Sequence, residues 1–414
     1  MKGACPGNLH AAASGGQSAP AFLYAPHAAD YASTRTSPER SMATFLKANE
    51  LGTAGARTMP GRNYTSPDVF ALEQERIFQQ RWLCVCRASQ LKAPGDFVTR
   101  EVGGESLIIT RDASGALRAF YNVCRHRGTR MCEAASGNFG ETIVCPYHAW
   151  TYTLDGRLIG APHMAGFEGF EKKDYPLHAI LTAEWEGFVF INLASDPEPF
   201  ELAWKPLFGR FDRFRLASLP MHTRIEYDIK ANWKLIHQNY SECYHCSPVH
   251  PQLVKLTPPT SGENDLYDGP FLGGFMEITA PGGSLTMSGR MCGAPISDVP
   301  REAKQRAWYY SLFPNFLLSI LPEYVLTFTL WPVAPGHTKL IAEWFFHPDT
   351  LKGGAYDPDD AVKFWDEVNR QDWHVSELSQ LGVASRAYVP GPYAPREGLS
   401  VQFDREVRRS LGEP

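Results

Sequence analysis

The sequence predicts an α+β fold in two parts, a small antiparallel β domain followed by a larger domain of mixed strands and helices. Three observations carry this reading. From about Trp82 to Ile180, short β-type runs such as SLIIT (106–110) and AFYNV (119–123) alternate with turns such as DASGA (112–116) and LDGRL (154–158). From about Glu186 onward, strand runs such as GFVFINL (187–193), YVLTFTLW (324–331) and KLIAEWFF (339–346) mix with helical patterns. The 414 residues, 43% of them apolar, suffice for two cores.

Taken in order, residues 1–60 are expected to form a disordered extension. The stretch 1–41 is rich in Ala, Gly, Ser and Pro and lacks apolar periodicity. It also lacks the apolar core of ~7–15 residues that a secretory signal requires. Met42 is an alternative start to Met1. Residues 61–81 are expected to hold a helix packed on the second domain. Ser66-Pro67-Asp68 caps it, and Val69, Phe70, Leu72 and Ile77 supply its apolar side. The β domain is assigned to 82–182 and the mixed domain to 183–414. Cys84 and Cys86 read as residues of a strand whose side chains alternate in direction.

Composition excludes several classes. A net charge of −5 gives no footprint for nucleic acid. No run approaches the ~18 apolar residues of a membrane span. Nine cysteines are too few for a disulfide scaffold of this length and suit a reducing compartment, hence the cytoplasm.

The chemistry lies in CRHRGTRMCEAASGNFGETIVCPYHAW, Cys124 to Trp150. Cys124 and His126 form C-x-H, and Cys145 and His148 form C-x-x-H. Zinc also accepts two Cys and two His, but a typical finger clusters each ligand type. Here each loop supplies one of each. Two loops giving two thiolates to one iron and two imidazoles to the other is the Rieske [2Fe–2S] arrangement.

CRHRG and CPYHAWTYTLDGRL resemble the Rieske signature of ring-hydroxylating oxygenase α subunits. Respiratory Rieske proteins carry an extra Cys in each loop, where this sequence has Thr129 and Tyr147. The resemblance implies a Rieske domain joined to a helix-grip (START-like) catalytic domain that holds a mononuclear Fe(II).

The residues also point to that second metal. In NWKLIHQNYSECYHCSPVHPQL, His245 and His250 stand five apart, a spacing that no straight helix puts on one face. Pro248 lies between them, so the helix must bend or end there. Two His and a carboxylate make the facial triad of non-haem iron oxygenases. A late helix is capped by Asp357 and Pro358 and followed by Gly382. On it Trp365, Val368, Asp372 and Val375 share the apolar stripe. A buried carboxylate needs a metal or a cation. VNRQDWHVSELSQLG is similar to the family segment whose Asp binds the iron. Cys243 and Cys246 form a C-x-x-C without the context of a thioredoxin motif.

The resemblance further assigns Glu242 as the acid that joins a cluster His of one subunit, His148, to the iron ligand His245 of the next. It thereby implies a homotrimer fed by a flavin or ferredoxin-type NAD(P)H reductase. NYSECYHC and RAYVPGPYAP are closer to the glycine betaine, proline betaine and carnitine branch than to aromatic-ring dioxygenases. The expected function is a terminal oxygenase that uses O2 to hydroxylate or N-dealkylate a small betaine-like substrate. An aromatic-ring dioxygenase is the alternative, and a Rieske electron carrier the alternative of another class. Substrate contacts are expected from Trp308, Tyr310, Phe316, Phe328 and Trp331, or else these residues are core.

Overall fold

A computed structural model describes residues 44–297 and 305–413. Most of the expected N-terminal extension lies outside these residues, but 44–60 departs from the expectation. Leu46–Lys47 (β1) adds to a sheet edge through Leu46↔Asn264 and Lys47↔Glu263. Thr58 donates its N–H to Gly391 O at 3.0 Å. A segment without apolar periodicity is ordered because a sheet edge offers unpaired backbone groups. Two short helices follow, α1 (Arg62–Thr65) and α2 (Pro67–Glu73). Ser66 Oγ accepts from Val69 N at 3.4 Å, with Pro67 at the first helical position.

The first domain is all β. Its strands are β2 (Leu83–Arg87), β3 (Asp96–Val102), β4 (Glu105–Arg111), β5 (Leu117–Tyr121) and β6 (Ser136–Asn138). They continue as β7 (Thr142–Val144), β8 (Thr151–Thr153), β9 (Leu158–Gly160), β10 (Ala179–Trp185) and β11 (Phe188–Asn192). One sheet runs β2-β11-β10-β5-β4-β3-β6, and β7-β8-β9 form a second. Cys84 and Cys86 are buried in different clusters, because a bulge in the β2–β11 pairing leaves Val85 as an extra residue between them. The boundary expected at residue 182 lies within β10, and β11 after it pairs with β10 and β2. Glu186 (φ 51) and Gly187 (φ 74) turn the chain left-handed between β10 and β11, as a two-residue hairpin loop requires.

The second domain begins with α3 (Phe200–Ala203), β12 (Met221–Ile229), α4 (Trp233–Tyr240) and the one-turn α5 (Cys246–Val249). Then come β13 (Glu263–Asp268), β14 (Phe271–Glu277), β15 (Arg306–Leu312), β16 (Phe316–Ile320), β17 (Tyr324–Ala334) and β18 (His337–Phe346). Helices α6 (Asp359–Val383) and α7 (Gly398–Leu411) end the chain. The sheet order is β1-β13-β14-β15-β16-β17-β18-β12, antiparallel throughout.

Helix α6 lies on this sheet, the helix-grip arrangement. Its buried residues Ala361, Val362, Trp365, Val368, Asn369 and Trp373 recur at helical spacing. Trp365 Nε1 donates to Tyr324 Oη at 2.6 Å. The cap differs by one residue from the expectation: Pro358 holds it instead of Asp357, and the helix runs through Gly382.

Helix α4 is anchored by an ion pair that lies wholly out of solvent, Lys234 Nζ to Glu73 of α2. Trp233 Nε1 donates to the other oxygen of Glu73 at 2.9 Å. Removing one partner of such a pair costs about 3–5 kcal/mol. Lys234 and Asn232 therefore belong to the scaffold, Asn232 as the cap of α4.

Candidate metal centres

The two Cys–His loops share one backbone path. Cys124 N–H donates to Thr129 O (2.9 Å), and Gly128 N–H donates to Cys124 O (3.0 Å). In the second loop Cys145 N–H donates to Trp150 O (2.8 Å), and Ala149 N–H to Cys145 O (3.1 Å). Gly128 (φ 74) and Ala149 (φ 55) occupy the same left-handed position, four residues after each Cys. Asn122 locks the first loop: its Oδ1 accepts from Met131 N and Cys132 N, both at 3.0 Å.

Cys124 and Cys145 are buried at 3% and 2% exposure, with their thiols within hydrogen-bonding reach of each other. Tyr152 Oη stands 3.5 Å from Cys124 Sγ and accepts from Arg125 N at 3.1 Å. The His126 and His148 rings lie 4.7 Å apart at 74°. Trp150 stacks on His126 at 4.9 Å. His126 Nδ1 is buried without a hydrogen-bond partner. Paired buried thiols, paired imidazoles and an orphaned ring nitrogen fit a histidine-ligated [2Fe–2S] cluster.

The second centre joins α5 to α6. His245 and His250 bracket the single turn of α5, which contains Pro248, so both rings leave its ends. Asp372 Oδ1 lies 3.2 Å from His245 Nε2 and 2.8 Å from His250 Nε2. The prospective ligand atoms all fall within 4.8 Å of one another. Glu242 Oε1 is 2.7 Å from His245 Nδ1, and Gln371 Oε1 is 2.7 Å from His250 Nδ1. Asn239 Nδ2 lies 3.4 Å from His245 Nε2.

Among the side chains alone, burial works against a charged His245. Asp372 and Glu242 outweigh it and push its pKa up to about 10. Burial also works against a charged Asp372, yet His245 and His250 hold its carboxyl below the usual range. That negative field suits a divalent cation, and two imidazoles with one carboxylate fit mononuclear iron. Cys243 and Cys246 are joined as a disulfide across Tyr244 and His245.

A cavity of about 360 Å³ opens on this triad. Tyr240, Tyr309, Phe328, Trp365 and Trp373 wall it. Of the expected contact residues only Phe328 lines it. Trp308, Tyr310 and Phe316 pack on the far side of the sheet, with Phe188, Phe190 and Trp204. Trp331 packs at the edge of the core. Strand parity explains the miss: Tyr309 faces α6, so its neighbours cannot. Both faces of β15 are buried, so no polar alternation marks the inner one.

Two family models match: a Rieske [2Fe–2S] domain over residues 81–176, and the catalytic domain of ring-hydroxylating α subunits over 216–413. A glycine betaine monooxygenase oxygenase subunit from Chromohalobacter salexigens is 30% identical over 375 residues, 82% of each chain. The chain belongs to the Rieske ring-hydroxylating oxygenase α-subunit family. A carnitine monooxygenase oxygenase subunit from Acinetobacter baumannii is 41% identical to this oxygenase over 201 residues, 47% of this chain and 53% of that one. A solved quaternary ammonium Rieske monooxygenase superposes with a TM-score of 0.75 at 28% identity, covering 89% of this chain and 100% of that one. Naphthalene 1,2-dioxygenase from Rhodococcus shares the fold, with a TM-score of 0.67 at 21% identity over 86% of this chain and 94% of that one. The oxygenase is thus an O2-using oxidoreductase whose cofactors are a Rieske [2Fe–2S] cluster and a mononuclear iron. Among the described residues no helix is long and apolar enough to cross a membrane.

Proposed function

We propose that this oxygenase hydroxylates or N-dealkylates a small quaternary ammonium substrate, and that electrons reach its iron from a neighbouring subunit. The observation that carries the substrate class is the aromatic wall of the cavity, Tyr240, Tyr309, Phe328, Trp365 and Trp373 among its rings, beside the His245, His250 and Asp372 triad. A quaternary ammonium has no N–H to donate. Ring faces attract it by about 0.5–2 kcal/mol each. The NYSECYHC spacing and the betaine and carnitine monooxygenase relatives support the same class.

In this reading Cys124 and Cys145 hold one cluster iron, and His126 and His148 the other. His245, His250 and Asp372 hold the mononuclear iron. When bound, the cluster would supply single electrons and the iron an open position for O2. Glu242 holds His245 through its Nδ1, which turns Nε2 toward Asp372. The same carboxylate is the bridge to His148 of the neighbouring copy.

A homotrimer is supported by two sets of exposed apolar residues. Val144, Tyr147 and Phe167 belong to the cluster domain, with Tyr147 against His148. Tyr244 adjoins His245, and Leu378 and Leu381 follow Asp372 on α6. Unlike surfaces that pair head to tail close into a ring. A flavin or ferredoxin-type NAD(P)H reductase would feed the cluster, and the cytoplasm suits the free thiols of Cys124 and Cys145.

The test is a panel of betaines, carnitine-like compounds, choline and aromatic hydrocarbons, with O2 and a ferredoxin-type reductase, scored as product formed per NAD(P)H oxidised. Coupled turnover of a quaternary ammonium compound is expected. Coupled turnover of the aromatic compounds alone would replace this reading with that of an aromatic-ring dioxygenase.

A further inference from the structure

His250 is read on both ring edges by consecutive residues of α6. Gln371 Oε1 meets Nδ1 at 2.7 Å, and Asp372 Oδ1 meets Nε2 at 2.8 Å. Neighbours on a helix diverge by about 100°. The two side chains therefore reach the ring, itself 1% exposed, from different sides.

The direction of the Gln371 amide follows from its own partners. Glu367 is an exposed carboxylate and can only accept. Its Oε1 faces Gln252 Nε2 at 3.2 Å, so that end of Gln252 is the donor. The same nitrogen faces Gln371 Oε1 at 3.1 Å, so the Gln371 atom is the acceptor. An accepting oxygen obliges His250 Nδ1 to carry the hydrogen. With Nδ1 committed to the amide, Nε2 is the nitrogen left to serve a metal placed between it and Asp372 Oδ1. A chain of three polar side chains, anchored at the surface by Glu367, thus sets the tautomer of a ring buried at the centre.

We infer that Gln371 is a positioning residue that commits Nδ1 of His250 and so presents Nε2 to the metal, and that its amide makes the two histidines unequal. This rests on His250 being an iron ligand. The inequality lies in the acceptors. His245 Nδ1 faces the carboxylate of Glu242, whereas His250 Nδ1 faces an uncharged amide. A carboxylate acceptor strengthens an imidazole donor, while an amide orients it without adding charge. The strengthened ligand is the one beside the proposed electron entry. Gln371 leaves the opposite ligand weaker and keeps a third carboxylate away from Glu242 and Asp372.

The test uses the full-length protein with its cluster loaded, and three variants: Gln371→Leu, Gln371→Glu and His250→Ala. Fe(II) retention is measured by chelator competition, and the mononuclear iron by the EPR signal of its nitric oxide adduct. Cluster absorbance reports folding. Gln371→Leu should lose about 10–100-fold in Fe(II) affinity with the cluster spectrum unchanged. Gln371→Glu restores an acceptor and should recover the affinity, while the nitric oxide signal shifts because a charge now faces Nδ1. If Gln371→Leu retains iron as the wild type does, with an unaltered signal, while His250→Ala loses it, Gln371 has no positioning role. If His250→Ala itself retains iron, the ligand assignment has failed and this inference falls with it. Should Gln371→Leu not fold, Gln371→Glu decides alone, and an unshifted signal overturns the proposal.

Discussion

Glu242 accepts from His245 at two points, the ring Nδ1 at 2.7 Å and the backbone N–H at 3.2 Å. The acid and the imidazole therefore move as one body. Glu242→Gln keeps the shape of this unit and loses its charge. It should retain both metals yet slow electron delivery, read as slower reoxidation of the reduced cluster when substrate and O2 are added. Co-assembling Cys124→Ser with Asp372→Ala sharpens the test. Each variant alone should be inactive, and mixed assemblies of the proposed trimer should regain part of the activity. Mixed assemblies with no rescue would rule out the cross-subunit path.

The two centres should be separable. Asp372→Ala, His245→Ala or His250→Ala is expected to abolish turnover and mononuclear iron while the red-brown cluster absorption persists. Cys124→Ser or His148→Ala should remove the cluster signal. Iron and sulfide analysis checks both, and zinc without sulfide would refute the cluster.

Adjacent residues on β15 should behave differently. Tyr309→Leu removes one ring from the cavity wall. It should weaken substrate binding about 2–30-fold, the equivalent of 0.5–2 kcal/mol. Tyr310 lies on the other face, against Phe211 at 5.1 Å. Tyr310→Ala should instead cost about 3–5 kcal/mol of stability. Equal effects on KM would contradict the assigned parity.

Glu323 should give an unusual pH dependence. Burial pushes its pKa up to about 7, although Ser284 and Cys292 donate to it. The folded chain keeps this proton to about 7, and the unfolded chain releases it near 4.5. Folding therefore binds the extra proton, and its stabilisation is complete below 4.5 and lost as pH rises through about 7. Within that window the slope approaches about 1.4 kcal/mol per pH unit. Glu323→Gln should gain thermal stability relative to wild type between pH ~5 and ~8. A constant difference across the range would show that the carboxyl does not titrate there.

The two Cys–His pairs stood out in the sequence because each loop places both residue types within a few positions. Asp372 was legible because a carboxylate on an apolar stripe demands a cation. The cavity wall was not, since Trp308, Tyr309 and Tyr310 are equally apolar and only the pleat decides which one turns inward. The pairing of β1 left no trace because two residues carry no period. Gln371 was hidden by its chemistry: a neutral amide beside Asp372 looks like any solvated helix residue until the ring it meets is in place.

The shared path of the two cluster loops makes them mechanically unequal. Gly128 adopts its left-handed backbone at little steric expense, whereas Ala149 holds φ 55 with a Cβ attached. For an L-residue that conformation is uphill by roughly 1–2 kcal/mol. The Cys145 jaw is therefore sprung and the Cys124 jaw relaxed. When the ligands let go, the sprung jaw is the one with energy to release by opening. Disassembly of the centre should begin on the side of Cys145 and His148, the side proposed to face the neighbouring subunit.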